Sequence, residues 1–197
     1  TPSLPIIGVI AGVSTSWSAG NVGPVVGDVG DEFGISLATV GLLSGTILFT
    51  SMVVALLLAP RLAERLGLTR ALGLAVAVGG VGSLMFALSD SFAVAVVGRT
   101  LAGLSLGCIG GLTPVLARLT RGVGGVGLFG ASFQLGIGVG VGVGSLLADA
   151  GVDWRVGFVL TAAAHFVAVP LVLREHVPAQ RRAAARGFIP AALRAPR

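Results

Sequence analysis

Lysine is absent from this chain, cysteine occurs once, and charged residues make up only 11% of its 197 residues. A soluble domain normally carries about 25% charged residues, so this composition excludes a soluble globular protein. The single cysteine, Cys108, excludes an intrachain disulfide and leaves the redox compartment open. Hydrophobic residues make up 54% of the chain and its mean hydropathy is +0.99, which is typical of a membrane protein.

The formal charge of +5 and the isoelectric point near 11.5 come from arginine alone. These arginines lie in short gaps between apolar stretches rather than on one polar face, which does not fit nucleic-acid binding. We therefore expect the lipid bilayer as a partner and no nucleic acid.

Six apolar stretches are long enough to cross a bilayer, for which a helix needs about 20 residues. Five of them contain no charged residue, and the fourth contains one, Arg99. The sequence therefore predicts an all-α, polytopic membrane protein with a six-helix bundle over residues 1–173. The predicted spans are 4–26, 36–60, 71–89, 92–116, 122–148 and 156–173.

Charge sign alternates between the gaps. Eleven of the 13 arginines follow the second and fourth spans or lie in the basic tail, residues 174–197, whereas the gaps after the first and third spans are purely acidic. Because arginine is retained on the cytoplasmic side during insertion, both termini and the tail are predicted to be cytoplasmic. We expect a multi-pass protein of the cell membrane, in a bacterium.

Glycine occurs 32 times, and in a membrane such small residues let helices approach closely. Several of them repeat at intervals of four on one helix face, which predicts tight helix–helix packing. These packing positions are Gly103 and Gly107 in the fourth span and Gly136, Gly140 and Gly144 in the fifth.

A short motif occurs twice. The first span reads Ala11-Gly-Val-Ser14 before Pro24, and the fourth reads Ala102-Gly-Leu-Ser105 before Pro114. Because the two copies begin three helices apart, the segments run in opposite directions across the membrane. The pattern predicts two inverted three-helix repeats.

Several segments together carry a family resemblance. The gap after the second span contains Glu64, Arg65, Gly67 and Arg70, the fourth span contains Arg99-Thr-Leu-Ala-Gly103, and the sixth begins with Asp153-Trp154-Arg155. These segments resemble the N-terminal half of a major facilitator superfamily transporter, whose cytoplasmic signature is glycine followed by Asp-Arg-x-Gly and two basic residues. Pro60, Leu68 and Thr69 depart from that signature.

The resemblance implies secondary active transport of small solutes by alternating access, with no enzymatic activity. It implies a small-molecule substrate, a coupling ion, and either a missing C-terminal six-helix half or a second copy of this chain. We expect no cofactor and no metal. The Gly125-Val-Gly127-Leu-Phe-Gly130 match to a dinucleotide motif lies in a membrane span rather than after a strand.

Four polar or aromatic residues within the spans are candidates for a substrate cavity. Arg99 is the strongest, because a charge inside a span costs about 2.5–3.5 kcal/mol and is retained for a function or snorkels outward. Asn21 and Trp17 share one face of the first span, and Gln134 lies in the fifth. The alternative role is hydrogen bonding between helices for Asn21 and Gln134, and anchoring at the membrane interface for Trp17.

An intramembrane serine protease of the rhomboid type is the alternative from another class, since Gly103-Leu-Ser105-Leu-Gly107 and His165 offer a serine and a base. The rhomboid signature is tighter, G-x-S-G, and its histidine is followed at the third position by glycine, where this chain has Ala168. A half-size or non-functional membrane remnant is a further alternative.

Overall fold

The computed structural model describes residues 4–174, with side-chain surroundings from residue 9 onward except at 119–121. Every regular element within that range is helical, which confirms the predicted all-α fold. The basic tail predicted over 174–197 lies, beyond Arg174, outside the described residues. The α-helices are α1 (Leu4–Gly20), α2 (Val26–Phe33), α3 (Leu37–Leu57), α4 (Ala59–Leu66), α5 (Leu68–Ala87), α6 (Phe92–Arg118), α7 (Gly122–Asp149) and α8 (Arg155–Leu173).

Five of these helices, α3 and α5–α8, are long and apolar enough to cross a membrane. Helix α1 has 17 described residues, which is at the short end of the range that spans a hydrocarbon core. The arrangement is that of a membrane-spanning helical bundle.

The first predicted span, 4–26, is not one continuous helix. Helix α1 ends at Gly20, a single 3₁₀ turn follows over Gly23–Val25, and the chain then enters the short helix α2. Pro24 cannot donate a backbone hydrogen bond, so its position favours the first turn of a new helix over the continuation of the old one. Helix α2 carries the acidic residues of this gap, and the sequence reading did not anticipate it.

The fourth and fifth spans meet at Gly122, where φ is 66° and ψ is −147°. The two helices follow each other with almost no connecting segment, and the positive φ of this glycine redirects the chain. A residue with a Cβ rarely adopts this conformation, so Gly122 sets the angle at which α7 leaves α6.

Glycines bring two helix pairs into backbone contact. Helix α1 packs on α7, where Gly140 faces the backbone and indole of Trp17, and helix α3 packs on α6, where Gly103 faces Ile47 and Thr50. A methyl group at Gly103 would lie 2.7 Å from the Ile47 carbonyl oxygen. Small residues are therefore required where these helices meet, as predicted for membrane helices.

The two pairs have the same register. Adding 91 to the number of an α1 residue gives its counterpart on α6, as from Gly12 to Gly103. Adding 82 to the number of an α3 residue gives its counterpart on α7. The matching contacts are Gly12 with Ser132 and Gly103 with Thr50, Ser16 with Gly136 and Gly107 with Val54, and Gly20 with Ile137 and Gly111 with Ala55. The two three-helix repeats therefore share an internal packing pattern as well as a short motif.

Helices α5 and α8 complete the bundle and pack on each other. Gly73 lies against Leu173, Gly80 against Phe166, and Gly79 against His165. At the end of the bundle that carries Asp90 and Asp153, here called the acidic end, an aromatic cluster fills the core. That cluster comprises Phe33, Phe86, Phe92, Trp154 and Phe158.

Candidate functional site

Arg99 is fully inside the bundle, with 1% of its surface exposed. Its Nη1 donates a hydrogen bond of 2.8 Å to the Ser18 carbonyl oxygen on α1. The guanidinium carbon lies 5.5 Å from the Phe86 ring centre and 5.9 Å from that of Phe158. The side chain therefore does not snorkel outward but points to the junction of α1, α5 and α8.

Two guanidinium nitrogens of Arg99, Nε and Nη2, have no hydrogen-bond partner within residues 4–174. No carboxylate in that range pairs with this arginine. The aromatic rings offer about 0.5–2 kcal/mol each by cation–π attraction, and the charged hydrogen bond about 1.5–3 kcal/mol. These contributions are comparable to the cost of placing arginine within a membrane span, and they leave two donors able to bind a ligand.

Asn21 lies at the same level of the bundle as Arg99 and is 3% exposed. Its Nδ2 donates to Thr161 Oγ1 at 2.6 Å on α8, and Thr161 Oγ1 in turn donates to the Gly157 carbonyl at 2.8 Å. Ser18 and Asn21 are one helical turn apart, as are Phe158 and Thr161, so the Arg99 and Asn21 contacts are neighbours. The amide thus connects the end of α1 to α8, and among the described residues its Oδ1 has no hydrogen-bond partner.

Trp17 and Gln134 do not join Arg99 and Asn21 in one site. Trp17 is half-buried and lies against Gly140 on α7, and its Nε1 has no hydrogen-bond partner in the part of the chain that the structure describes. Gln134 is exposed on another face of α7. The structure therefore brings together two of the four predicted cavity residues, and the other two lie on or beside α7.

Hydroxyl groups on α1 form part of this polar interior, and the sequence reading passed over them. Ser14, Thr15, Ser16 and Ser18 are all buried, and Ser18 Oγ lies 3.2 Å from Ser83 Oγ on α5. A cluster of serine and threonine in one span, Ser14-Thr-Ser-Trp-Ser18, was the available signal.

Ser105 and His165, the pair of the protease alternative, border the same glycine, but within residues 4–174 they do not hydrogen-bond to each other. A methyl group at Gly79 would lie 2.5 Å from Ser105 Oγ and 2.7 Å from His165 Nε2, so both atoms border the same point on α5. His165 Nδ1 contacts the Thr161 carbonyl at 2.8 Å, where a protease triad would place a carboxylate. Both side chains are fully buried, so a peptide substrate has no route to them in this conformation.

The segment that resembles the cytoplasmic signature is helical rather than a loop. Glu64 and Arg65 lie exposed on α4, Gly67 ends that helix with a φ of 80°, and Arg70 is exposed on the first turn of α5. None of these three charged side chains forms an ion pair with another residue in 4–174.

An ion pair at the acidic end was not predicted. Arg155 Nη2 lies 2.8 Å from Glu32 Oε1 and 3.4 Å from the Ser89 carbonyl, so it connects α2, the α5–α6 turn and α8. Hydrogen bonding and charge attraction from Arg155 lower the pKa of Glu32 below its usual 4.5. The sequence did contain a signal for this ion pair, because Arg155 is the only arginine in the gaps at that end and the gap after the first predicted span is acidic.

A cavity of about 220 Å³ lies at the opposite end, between α6 and α7, and is lined by Pro114, Val115, Arg118 and Val126. It contains none of the predicted cavity residues. Among the described residues, no group of three or more His, Cys, Asp or Glu side chains is arranged to hold a metal ion.

Comparison with known proteins agrees with this architecture. No curated protein matches the chain. The model of the Major Facilitator Superfamily matches residues 8–196, almost the whole sequence. Members of that family are membrane transporters rather than enzymes. They lie in the lipid bilayer and bind small-molecule substrates. The chain belongs to the Major Facilitator Superfamily.

Proposed function

We propose that this chain is the N-terminal six-helix half of a secondary active transporter that moves a small solute by alternating access. Family membership and the repeated packing of α1 on α7 and of α6 on α3 support this proposal. In transporters built from inverted repeats, the substrate binds near the bilayer midplane and the halves rock around it.

The buried guanidinium of Arg99 is the observation that carries the proposal. A cation held without a carboxylate, with two free donors, is arranged to accept an anionic or polar ligand. Apart from Asp149, the last residue of α7, the described membrane spans contain no Asp or Glu to attract an organic cation. We therefore infer that the substrate is an anionic or neutral small solute, with Arg99 as its principal ligand and Asn21 beside it.

The second half would cover α3 and α7. Only 22% of the residues in the apolar windows of these two helices are buried, against 39–61% in α5, α6 and α8. Gly138 and Gly142 on α7 face open space and would allow another helix to approach closely. A C-terminal six-helix half, or a second copy of the chain, fits this surface.

The proposed orientation places the basic end of the bundle, with Arg61, Arg65 and Arg70, in the cytoplasm of a bacterial cell. Cys108 is the only cysteine, so a Cys108→Ser background allows single cysteines to be placed at either end. An impermeant thiol reagent applied outside intact cells should label a cysteine at Asp90 and leave one at Arg70 unlabelled. The reverse labelling would overturn this orientation.

Transport itself is tested in proteoliposomes that contain the full-length gene product. Liposomes loaded with a mixture of small anionic and neutral solutes are diluted into buffer, and the retained solutes are measured by mass spectrometry. We expect at least one solute to leave faster than from protein-free liposomes. Sequencing the gene downstream of Arg197 distinguishes a fused second half, which adds six more apolar spans, from a second copy.

A further inference from the structure

Two buried polar side chains lie beside Gly79, and neither of them belongs to the proposed substrate contacts. Ser105 Oγ on α6 and His165 Nε2 on α8 both border this glycine on α5, and both residues have 0% exposure. Each of these two atoms lacks a hydrogen-bond partner within residues 4–174. Unpaired buried polar atoms are rare in native proteins, so two beside the same glycine indicate a ligand or a function.

The contact made by His165 Nδ1 decides which ring nitrogen of the neutral imidazole carries the hydrogen. Nδ1 contacts the Thr161 carbonyl oxygen at 2.8 Å, and because a carbonyl only accepts, Nδ1 carries the hydrogen. In the neutral imidazole, Nε2 is then a free acceptor that faces the Ser105 hydroxyl. Thr161 also binds Asn21 through its hydroxyl, so this histidine is connected through one residue to the candidate substrate site.

We propose that Ser105 and His165 form the proton-binding site that couples transport in this half of the molecule. A proton taken from water binds at His165 Nε2, and the new Nε2–H donates to Ser105 Oγ. The serine hydroxyl, which has no hydrogen-bond partner within residues 4–174 in the state described, then donates to a main-chain carbonyl of its own helix, an orientation common for serine in helices. The Nε2–H bond forms as an O–H bond of the hydronium ion that donates the proton breaks, and no other covalent bond changes.

The groups around His165 make proton binding depend on conformation. Helix α5 presents Gly79 and Gly80 there, and α6 presents Ser105, with Cys108 one turn away; the Asn21 amide, which follows α1, reaches Thr161 one turn along α8. The buried cation Arg99 contacts Phe158, which lies seven residues or about 10 Å along α8 from His165. A protonated imidazole would thus be stabilised by a conformation that admits water, or by an anion bound at Arg99.

The site can be read directly by nitrogen NMR. His165 and His176 are the only histidines, so ¹⁵N-histidine labelling of the chain in lipid nanodiscs gives two imidazoles, and His176→Gln assigns them. On acidification through the range in which histidine titrates, we expect the His165 Nε2 signal to change from that of an unprotonated to that of a protonated nitrogen. An Nε2 that stays unprotonated down to the pH at which the protein unfolds would overturn the proposal.

The role of Ser105 is tested by comparing Ser105→Ala with Ser132→Ala. Ser132 is also buried, but its hydroxyl bonds only the Phe129 carbonyl of its own helix. Losing the acceptor for Nε2–H should lower the ratio of protonated to neutral His165 at fixed pH about tenfold in Ser105→Ala. Equal ratios in both variants would show that Ser105 takes no part.

This inference rests on the proposed transport function for its purpose, but the two can fail separately. The NMR titration needs no substrate, so its result does not depend on whether a transported solute is found. In proteoliposomes, His165→Gln should abolish acceleration of transport by an inward proton gradient while solute exchange without a gradient continues. Unchanged acceleration in His165→Gln would refute the coupling role even if the site binds a proton.

Discussion

Gly140→Ala is the sharpest test of the helix packing, and Gly142→Ala is its matched control. The two glycines are neighbours on α7, but Gly140 faces α1 while nothing lies within 4 Å of the Cβ position at Gly142. A methyl group at Gly140 would lie 2.6 Å from the Trp17 carbonyl oxygen and 3.1 Å from Asn21 Oδ1. Helix α7 would have to move away from α1, and this movement would disturb the contacts of Asn21.

Both substitutions gain helix propensity of about 1 kcal/mol, so this contribution cancels in the comparison. Overpacking at a well-fitted contact typically costs about 1–3 kcal/mol, and only Gly140→Ala incurs it. For a chain of this size about 1 kcal/mol shifts the melting temperature by roughly 2–4 °C. We therefore expect Gly140→Ala to melt several degrees below Gly142→Ala.

Thermal unfolding in detergent or nanodiscs can be followed by tryptophan fluorescence, since Trp17 and Trp154 are the only two tryptophans. The packing of α6 on α3 provides an independent pair of variants, Gly107→Ala and Gly110→Ala. Gly107 packs on Ser51 and Val54, while Gly110 faces open space. Equal melting temperatures within both pairs would refute the packing that the structure shows.

Two further predictions concern polar contacts. Asn21→Leu combined with Thr161→Val in a double-mutant cycle should give a coupling energy of about 0.6–1.7 kcal/mol, the range for hydrogen bonds between membrane helices, and strict additivity would contradict the contact. The Arg155–Glu32 pair should stabilise the fold above the usual Glu pKa of 4.5 and lose its effect as pH falls through the lowered pKa of Glu32 in the folded state. Glu32→Gln should therefore melt lower than the parent chain at neutral pH and converge with it in acid; a constant difference would contradict the ion pair.

The membrane class and the pairing of helices through glycine were accessible from sequence, because both depend on local composition and spacing. The apolar stretches had to be helical in a bilayer, where a backbone without internal hydrogen bonds is too costly. The motif shared by Ala11–Ser14 and Ala102–Ser105 correctly indicated a repeat, since its glycines, Gly12 and Gly103, face equivalent partners on α7 and α3.

Details that depend on long-range contacts could not be predicted in this way. Nothing near Arg99 in the sequence indicates that it binds the Ser18 carbonyl, 81 positions away, or that Phe158 lies beneath it. Gln134 and Asn21 are both polar residues in apolar spans, yet one is exposed and the other buried. The end of α1 at Gly20 reflects Pro24, whose effect a hydropathy average does not register.

The role of Arg99 in binding solute is the central claim, and the same solute-retention assay tests it most directly. Arg99→Met removes the charge but keeps an apolar side chain of similar length, and Arg61→Met removes an exposed arginine on α4 as the control. We predict that the full-length protein with Arg99→Met inserts and folds but releases the transported solute no faster than protein-free liposomes, while Arg61→Met transports normally. Unchanged solute release by folded Arg99→Met would contradict the account.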